Sequence, residues 1–203
     1  MENPFKKNRG LKKDYRVSVI IDSSISCFND FMRPHSIKTV LAILRMLSLV
    51  EIPFFDLIIA TSNKPIVLSC GYDTINSLNP KSNLWNLVLE QLTHTENECN
   101  LLNALKLSYK LKSMTSVKKW YCFVLTDGMY EQNEVNEIQD YVSFCEESYI
   151  DVFGIGLGYY PEGIKKIFTK CLWCLNPFMI LKAMSVFFGN TEKYYEELPL
   201  IKL

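Results

Sequence analysis

Three features of this 203-residue chain predict an α/β domain with a doubly wound, mostly parallel sheet between two layers of helices. Short β-branched or aromatic runs alternate with amphipathic stretches at helical spacing, the pattern of repeated βα units. The strand-like runs are apolar on both faces, as strands covered by helices on each side require. Two of these runs end at aspartates: Val17–Ile21 leads into Asp22, and Trp120–Leu125 leads through Thr126 into Asp127.

The elements follow in order. Residues 1–16 hold Lys6, Lys7, Arg9, Lys12, Lys13 and Arg16 with little apolar content, and read as a basic tail or linker. A solvated arm is preferred there to a nucleic-acid arm. The domain is expected over 17–190, with 191–203 as a C-terminal tail. Val17–Ile21 forms the first, central strand. After a polar loop, Ile37, Val40, Leu41, Leu44 and Leu47 recur at helical spacing. Pro53 opens a second strand, Phe54–Ala60, and the Asn63-Lys64-Pro65 turn leads to a third, Ile66–Cys70. A turn that short permits a hairpin and not a helical crossover, so the third strand is antiparallel and at an edge.

Helices near 82–93 and 99–112 come next, then the strand Trp120–Leu125. A helix marked by Val135, Ile138, Val142 and Cys145 precedes the last predicted strand, Asp151–Ile155. Ile164, Ile167, Phe168 and Cys171 fit a short helix. Asn176 and Pro177 start the final one, with Ile180, Leu181, Met184, Phe187 and Phe188 inward.

Composition excludes several classes. Acidic and basic residues balance at 22 each, so no net field points to nucleic acid or membrane as a partner. The seven cysteines are scattered, several within apolar runs, as buried free thiols in a reducing compartment would be. The start Met1-Glu2-Asn3-Pro4 lacks the apolar segment of a secretory signal, and no run approaches the roughly 18 apolar residues of a membrane span. A cytoplasmic or nuclear location is expected.

Open α/β sheets place ligands beyond the carboxyl ends of their strands. Asp22 and Asp127 should therefore face one edge of the sheet, beside the hydroxyls of Ser24 and Ser26. Such a set is all hard oxygen and suits Mg²⁺ or Mn²⁺. Asp22-x-Ser24-x-Ser26 after an apolar strand, with Leu125-Thr126-Asp127-Gly128 about a hundred residues later, resembles the metal-ion-dependent adhesion site of von Willebrand factor A domains. The element order agrees over roughly residues 15–190. The resemblance implies that Ser24 and Ser26 ligate the ion directly, that Asp22 and Asp127 act mainly through bound waters, and that a partner's carboxylate completes the octahedron.

The family's further threonine, placed by the Ala104-Leu105 pair, corresponds to Cys99, whose soft thiol is a poor ligand for Mg²⁺. Thr95, Glu96 or Glu98 would have to reach in instead. The bland alternatives are that Asp22 and Asp127 cap the following helices and that Ser24 and Ser26 are turn hydroxyls.

Other motifs read as structural. Cys171-Leu172-Trp173-Cys174 lacks the strand-to-helix placement of a redox pair and a second such motif for zinc. His35 and His94 are surface or loop residues, and Gly154, Gly156 and Gly158 mark a tight strand exit in place of a phosphate loop. The acidic stretch Glu131–Asp151 reads as a solvated helix face, near which Tyr159 and Tyr160 offer aromatic contacts.

The expected function is a non-enzymatic protein-protein interaction domain, part of a larger intracellular protein or assembly. The alternatives are a structural scaffold with a vestigial metal site and, less favoured, a Mg²⁺-dependent aspartate-nucleophile phosphatase. The phosphatase chemistry wants a second acid where Ser24 stands.

Overall fold

The computed structural model describes residues 15–29, 32–49, 55–71, 83–115, 117, 119–157, 161–173 and 201–202. Its strands are β1 (Tyr15–Asp22), β2 (Phe55–Ala60), β3 (Ile66–Gly71), β4 (Lys119–Thr126), β5 (Ile150–Gly156), β6 (Cys171–Trp173) and β7 (Ile201–Lys202). The described helices are α1 (Ile25–Phe28), α2 (Arg33–Leu49), α3 (Asn83–Thr93), α4 (Leu101–Ser113), α5 (Gln132–Glu147) and α6 (Pro161–Ile167).

The sheet runs β3-β2-β1-β4-β5-β6-β7. β1 lies parallel between β2 and β4, and β5 and β6 continue the parallel set. β3 closes one edge as the antiparallel arm of a hairpin, with a register shift between Leu57 and Ile58. The doubly wound, three-layer architecture is the one expected.

Strand pleating decides the two layers. Val17, Val19 and Ile21 join Phe28, Val40, Leu44, Val88 and Leu92 in one core, so α1, α2 and α3 cover that face. Ile20 and Val124 join Leu101, Leu105, Ile138, Val142 and Ile164 in the other, beneath α4, α5 and α6. Each such side chain contributes roughly 1.5–3 kcal/mol on full burial. Among the described residues, no helix is long and apolar enough to cross a membrane.

Several local expectations need correction. β1 begins at Tyr15, and Arg16 belongs to it as a buried residue at 5% exposure. The Arg16 Nε donates to Asp56 Oδ2 at 2.6 Å, its Nη2 to Oδ1, and the guanidinium lies 4.8 Å from the centre of the Trp120 ring. Cys171 is not helical: α6 stops at Ile167, and Cys171–Trp173 pairs with β5 as an added strand. The sheet therefore does not end at β5, and β7 pairs antiparallel with β6.

Gly154 lies within β5, two residues before the exit, and Gly156 is the strand's last residue, as a strand exit requires. A Cβ on Gly154 would come within 2.4 Å of the Phe168 ring, so its lack of a side chain is what admits that ring. His35 sits half-buried on α2 and not in a loop, while His94 is an exposed residue just past α3. The predicted tail over 1–14, the start of the second strand at Phe54, Gly158, Tyr159 and Tyr160, Cys174 and the final helix from Asn176 lie outside the described residues.

Candidate metal centre

Sheet register brings the two aspartates together. Ile21 pairs with Leu125, so Asp22 at the end of β1 lies alongside Thr126 at the end of β4, and Asp127 follows at once. Each parallel strand has its carboxyl end at this edge. The loop before α4 is laid over the exit of β1 by backbone bonds: Glu96 N donates to Ser23 O at 3.2 Å, Ile25 N to Glu96 O at 2.8 Å, and Asn100 N to Thr61 O at 3.0 Å.

Asp22 is 1% exposed and fully engaged. Its Oδ1 accepts from the Ser24 backbone at 2.9 Å, and its Oδ2 accepts from Thr126 Oγ1 and from Tyr130 OH, each at 2.6 Å. Thr126 Oγ1 and Tyr130 OH also lie 2.8 Å apart. Burial and the neighbouring Asp22 hold the Tyr130 phenol well above its ordinary range, so it remains a donor.

Asp127 is the unsatisfied member. Its Oδ1 accepts from Met129 N at 3.0 Å, whereas the buried Oδ2 has no hydrogen-bond partner. Burial raises its carboxyl above the ordinary aspartate range; the Ser26 hydroxyl works against that, and the charge of Asp22 adds to it. Ser24 and Ser26 lie with their hydroxyl oxygens 3.0 Å apart. A cleft of about 430 Å³ above them is lined by Ser24, Ser26, Cys99, Met129, Tyr130 and Glu134. Asp22 and Asp127 do not line it.

The capping alternative fails for both acids. Ser24 is the N-cap residue of α1, and Glu131 is that of α5, where Glu134 Oε2 accepts from the Glu131 backbone at 3.1 Å. The two carboxylates instead brace their own loops and face each other.

The loop residues divide. Cys99 is buried with its sulfur 3.5 Å from Ala60 O, and burial followed by the charge of Asp22 pushes its thiol well up. The Glu96 carboxylate accepts from Ser62 N, and the Ser62 side chain, then that backbone bond, hold it below the ordinary glutamate range. Glu98 is exposed at the cleft and Thr95 is half-buried. Glu98 is thus the loop acid with access to the cleft.

Two neighbours of the centre escaped the sequence reading. Tyr130 belongs to an irregular loop with no period to announce it. Cys27 is buried on α1, and its sulfur lies within 4.8 Å of carboxylate oxygens of Asp22 and Asp127. Burial, then Asp22 and Asp127, push its thiol well above the usual range.

An orphaned buried carboxylate oxygen beside a second carboxylate and two hydroxyls fits a hard divalent cation. Ser24, Ser26, Asp22 and Asp127 can hold it, with Cys99 supplying no oxygen.

No protein-family model matches the chain, and no curated protein matches its sequence. Solved structures do match. BatB of Bacteroides thetaiotaomicron superposes with a TM-score of 0.62 at 15% identity, over 84% of this chain and 95% of that one. The TFIIH p34 N-terminal domain gives 0.57 at 12% identity, over 87% and 97%. A von Willebrand factor type A protein from Catenulispora acidiphila gives 0.54 at 15% identity, over 86% and 42%. With its 3-2-1-4-5-6 strand order, antiparallel edge hairpin and helices on both faces, the chain has the von Willebrand factor A fold.

Proposed function

We propose that the chain is a non-enzymatic protein-protein interaction module, which docks an acidic side chain of a protein partner at the carboxyl edge of its sheet. Ser24 and Ser26 would contact a Mg²⁺ or Mn²⁺ ion directly, and Asp22 and Asp127 would hold it through waters or by direct contact. The ion would supply an electrophilic position for the partner's carboxylate, because few charged groups contact it. The observation that carries the proposal is the unpartnered Oδ2 of buried Asp127 beside Asp22.

The rim supports docking. Ile25 and Met129 are 49% and 65% exposed at this edge, large apolar side chains available to a partner. Neither nucleic acid nor membrane is proposed as a partner. Buried free thiols at Cys27, Cys99, Cys122 and Cys145 favour a reducing compartment, cytoplasmic or nuclear.

A structural scaffold with a vestigial site is the second reading. Cys99 in place of a hydroxyl ligand and Tyr130 on the Asp22 carboxylate favour it. A phosphatase is disfavoured: Ser24 stands where the second acid would be, and among the described residues none lining the cleft is a lysine.

Thermal unfolding with Mg²⁺ or Mn²⁺, repeated with EDTA, separates the first two. An ion at a hundred times its Kd adds about 2.7 kcal/mol to folded-state stability. Wild type should gain this and Asp22→Ala should not. No gain at millimolar ion would leave the scaffold. Affinity capture with the same two proteins, with and without EDTA, then reads partner docking.

A further inference from the structure

We propose that this centre selects a thiolate-tolerant ion of the zinc class, with the Cys27 sulfur as a direct ligand beside Asp22 and Asp127; this rests on the cation site argued above and departs from its oxygen-only ligand set. Cys27 Sγ and one carboxylate oxygen from each aspartate lie within 4.8 Å of one another. All three residues are buried, at 1%, 1% and 7% exposure. Asp127 Oδ2 stands beside them without a hydrogen-bond partner.

Zinc bonds to sulfur at about 2.3 Å and to carboxylate at about 2.0–2.2 Å, so ligand atoms around one tetrahedral ion are roughly 3.4–3.8 Å apart. A cluster within 4.8 Å reaches that spacing with about an ångström of side-chain movement. Sulfur and carboxylate together discriminate between ions. Mg²⁺ takes hard oxygens and rejects thiolate, whereas zinc accepts both.

The surroundings agree. The position of the expected threonine hydroxyl is filled by Cys99, which removes one hard donor. Asp22 is oriented by Ser24 N, Thr126 and Tyr130, the outer-shell support that ligating carboxylates use. Three protein donors leave the fourth position of a tetrahedral ion unfilled.

Cobalt(II) is the probe, added to the full chain kept reduced by a non-thiol reductant. The expected result is a thiolate-to-cobalt charge-transfer band, removed by one equivalent of Zn²⁺. Cys27→Ser should abolish the band and weaken Zn²⁺ binding by at least about tenfold, the lower end for outer-shell changes. Cys99→Ser should keep the band. Zinc-edge X-ray absorption on wild type, which needs no variant, should show sulfur in the first shell.

A band that survives in Cys27→Ser, or a zinc shell of nitrogen and oxygen only, overturns the proposal. Stabilisation by Mg²⁺ or Mn²⁺ with no sulfur signature from Co²⁺ or Zn²⁺ overturns it while leaving the oxygen-ligated cation site standing. Failure of every divalent ion to stabilise wild type overturns both.

Discussion

The Tyr130 hydroxyl donates to Asp22 Oδ2 at 2.6 Å, on the same oxygen that receives Thr126. The phenol thus stabilises a buried carboxylate through an interaction that a cation near Asp22 would partly replace. Tyr130→Phe keeps the ring and removes that donor. In EDTA the variant should lose about 1.5–3 kcal/mol of stability, the range for a hydrogen bond to a charged group. With saturating Mn²⁺ the deficit should shrink, since positive charge then supports the same carboxylate. Urea denaturation under both conditions measures it. An equal deficit with and without the ion would separate Tyr130 from the cation.

Arg16 and Asp56 form a buried ion pair between neighbouring parallel strands, at 5% and 0% exposure. Ser18 Oγ also lies 3.3 Å from Asp56 Oδ2 and accepts from Trp120 Nε1 at 2.9 Å, so the pair anchors a polar network at the amino end of the sheet. Asp56→Ala leaves a guanidinium buried without its carboxylate and should destabilise by about 3–5 kcal/mol. Replacing both residues, as Arg16→Met with Asp56→Leu, should be much milder, because no lone charge remains. Denaturation of the single and double variants tests this. A double variant as unstable as Asp56→Ala would show that the charge pair itself is needed.

Local pattern marks Asp22 as a strand-end acid and gives Arg16 the look of a tail residue. An apolar run that ends in an acid shows its direction and its terminus, so Asp22 and Asp127 could be placed on one edge. The parallel register Ile21–Leu125 then does the rest. Arg16 sits among exposed-looking basic residues, and its partner lies forty positions away on another strand. Ile164, Ile167, Phe168 and Cys171 satisfy helical spacing, yet α6 ends at Ile167 and the chain goes on to pair with β5 at Cys171–Trp173. Cys27 looks like an ordinary apolar position, and only α1 brings its sulfur to the carboxylates. Tertiary pairing supplied each of these, and no periodicity encodes it.

Gly128 adopts φ +75°, and a Cβ there would lie 2.7 Å from the Gly163 backbone. A Cβ on Gly163 would lie 2.5 Å from Gly128 O. The two glycines thus let α6 press against the loop that carries Asp127. Gly128→Ala meets both the left-handed penalty of about 1–2 kcal/mol and a clash with backbone that cannot rotate away. It should destabilise by at least about 2 kcal/mol and weaken any thermal response to cation, because Asp127 moves with the loop. Gly163→Ala should destabilise through the clash. Stability within about 0.5 kcal/mol of wild type, the usual range of neutral surface changes, would show that the close approach is absent in solution.

Burial raises the Cys145 thiol to about 12 from an ordinary 9.0; Lys112 works against the shift and Glu146 adds to it. Cys122 is likewise pushed up by burial, and then by Cys145. Above pH 9 an unfolded chain loses these protons while the folded chain keeps them. The unfolded state then binds fewer protons, so stability must fall as pH rises. The contribution is complete below pH 9 and is lost as pH rises through the folded value, about 12 for Cys145. Cys145→Ala should lower stability at neutral pH by the loss of packing on α5, yet its decline between pH 9 and 12 should be shallower than that of wild type. Urea midpoints across that range read the slope. Parallel slopes in the two proteins would mean that Cys145 titrates alike in both states, and that the alkaline sensitivity of the fold belongs to other groups.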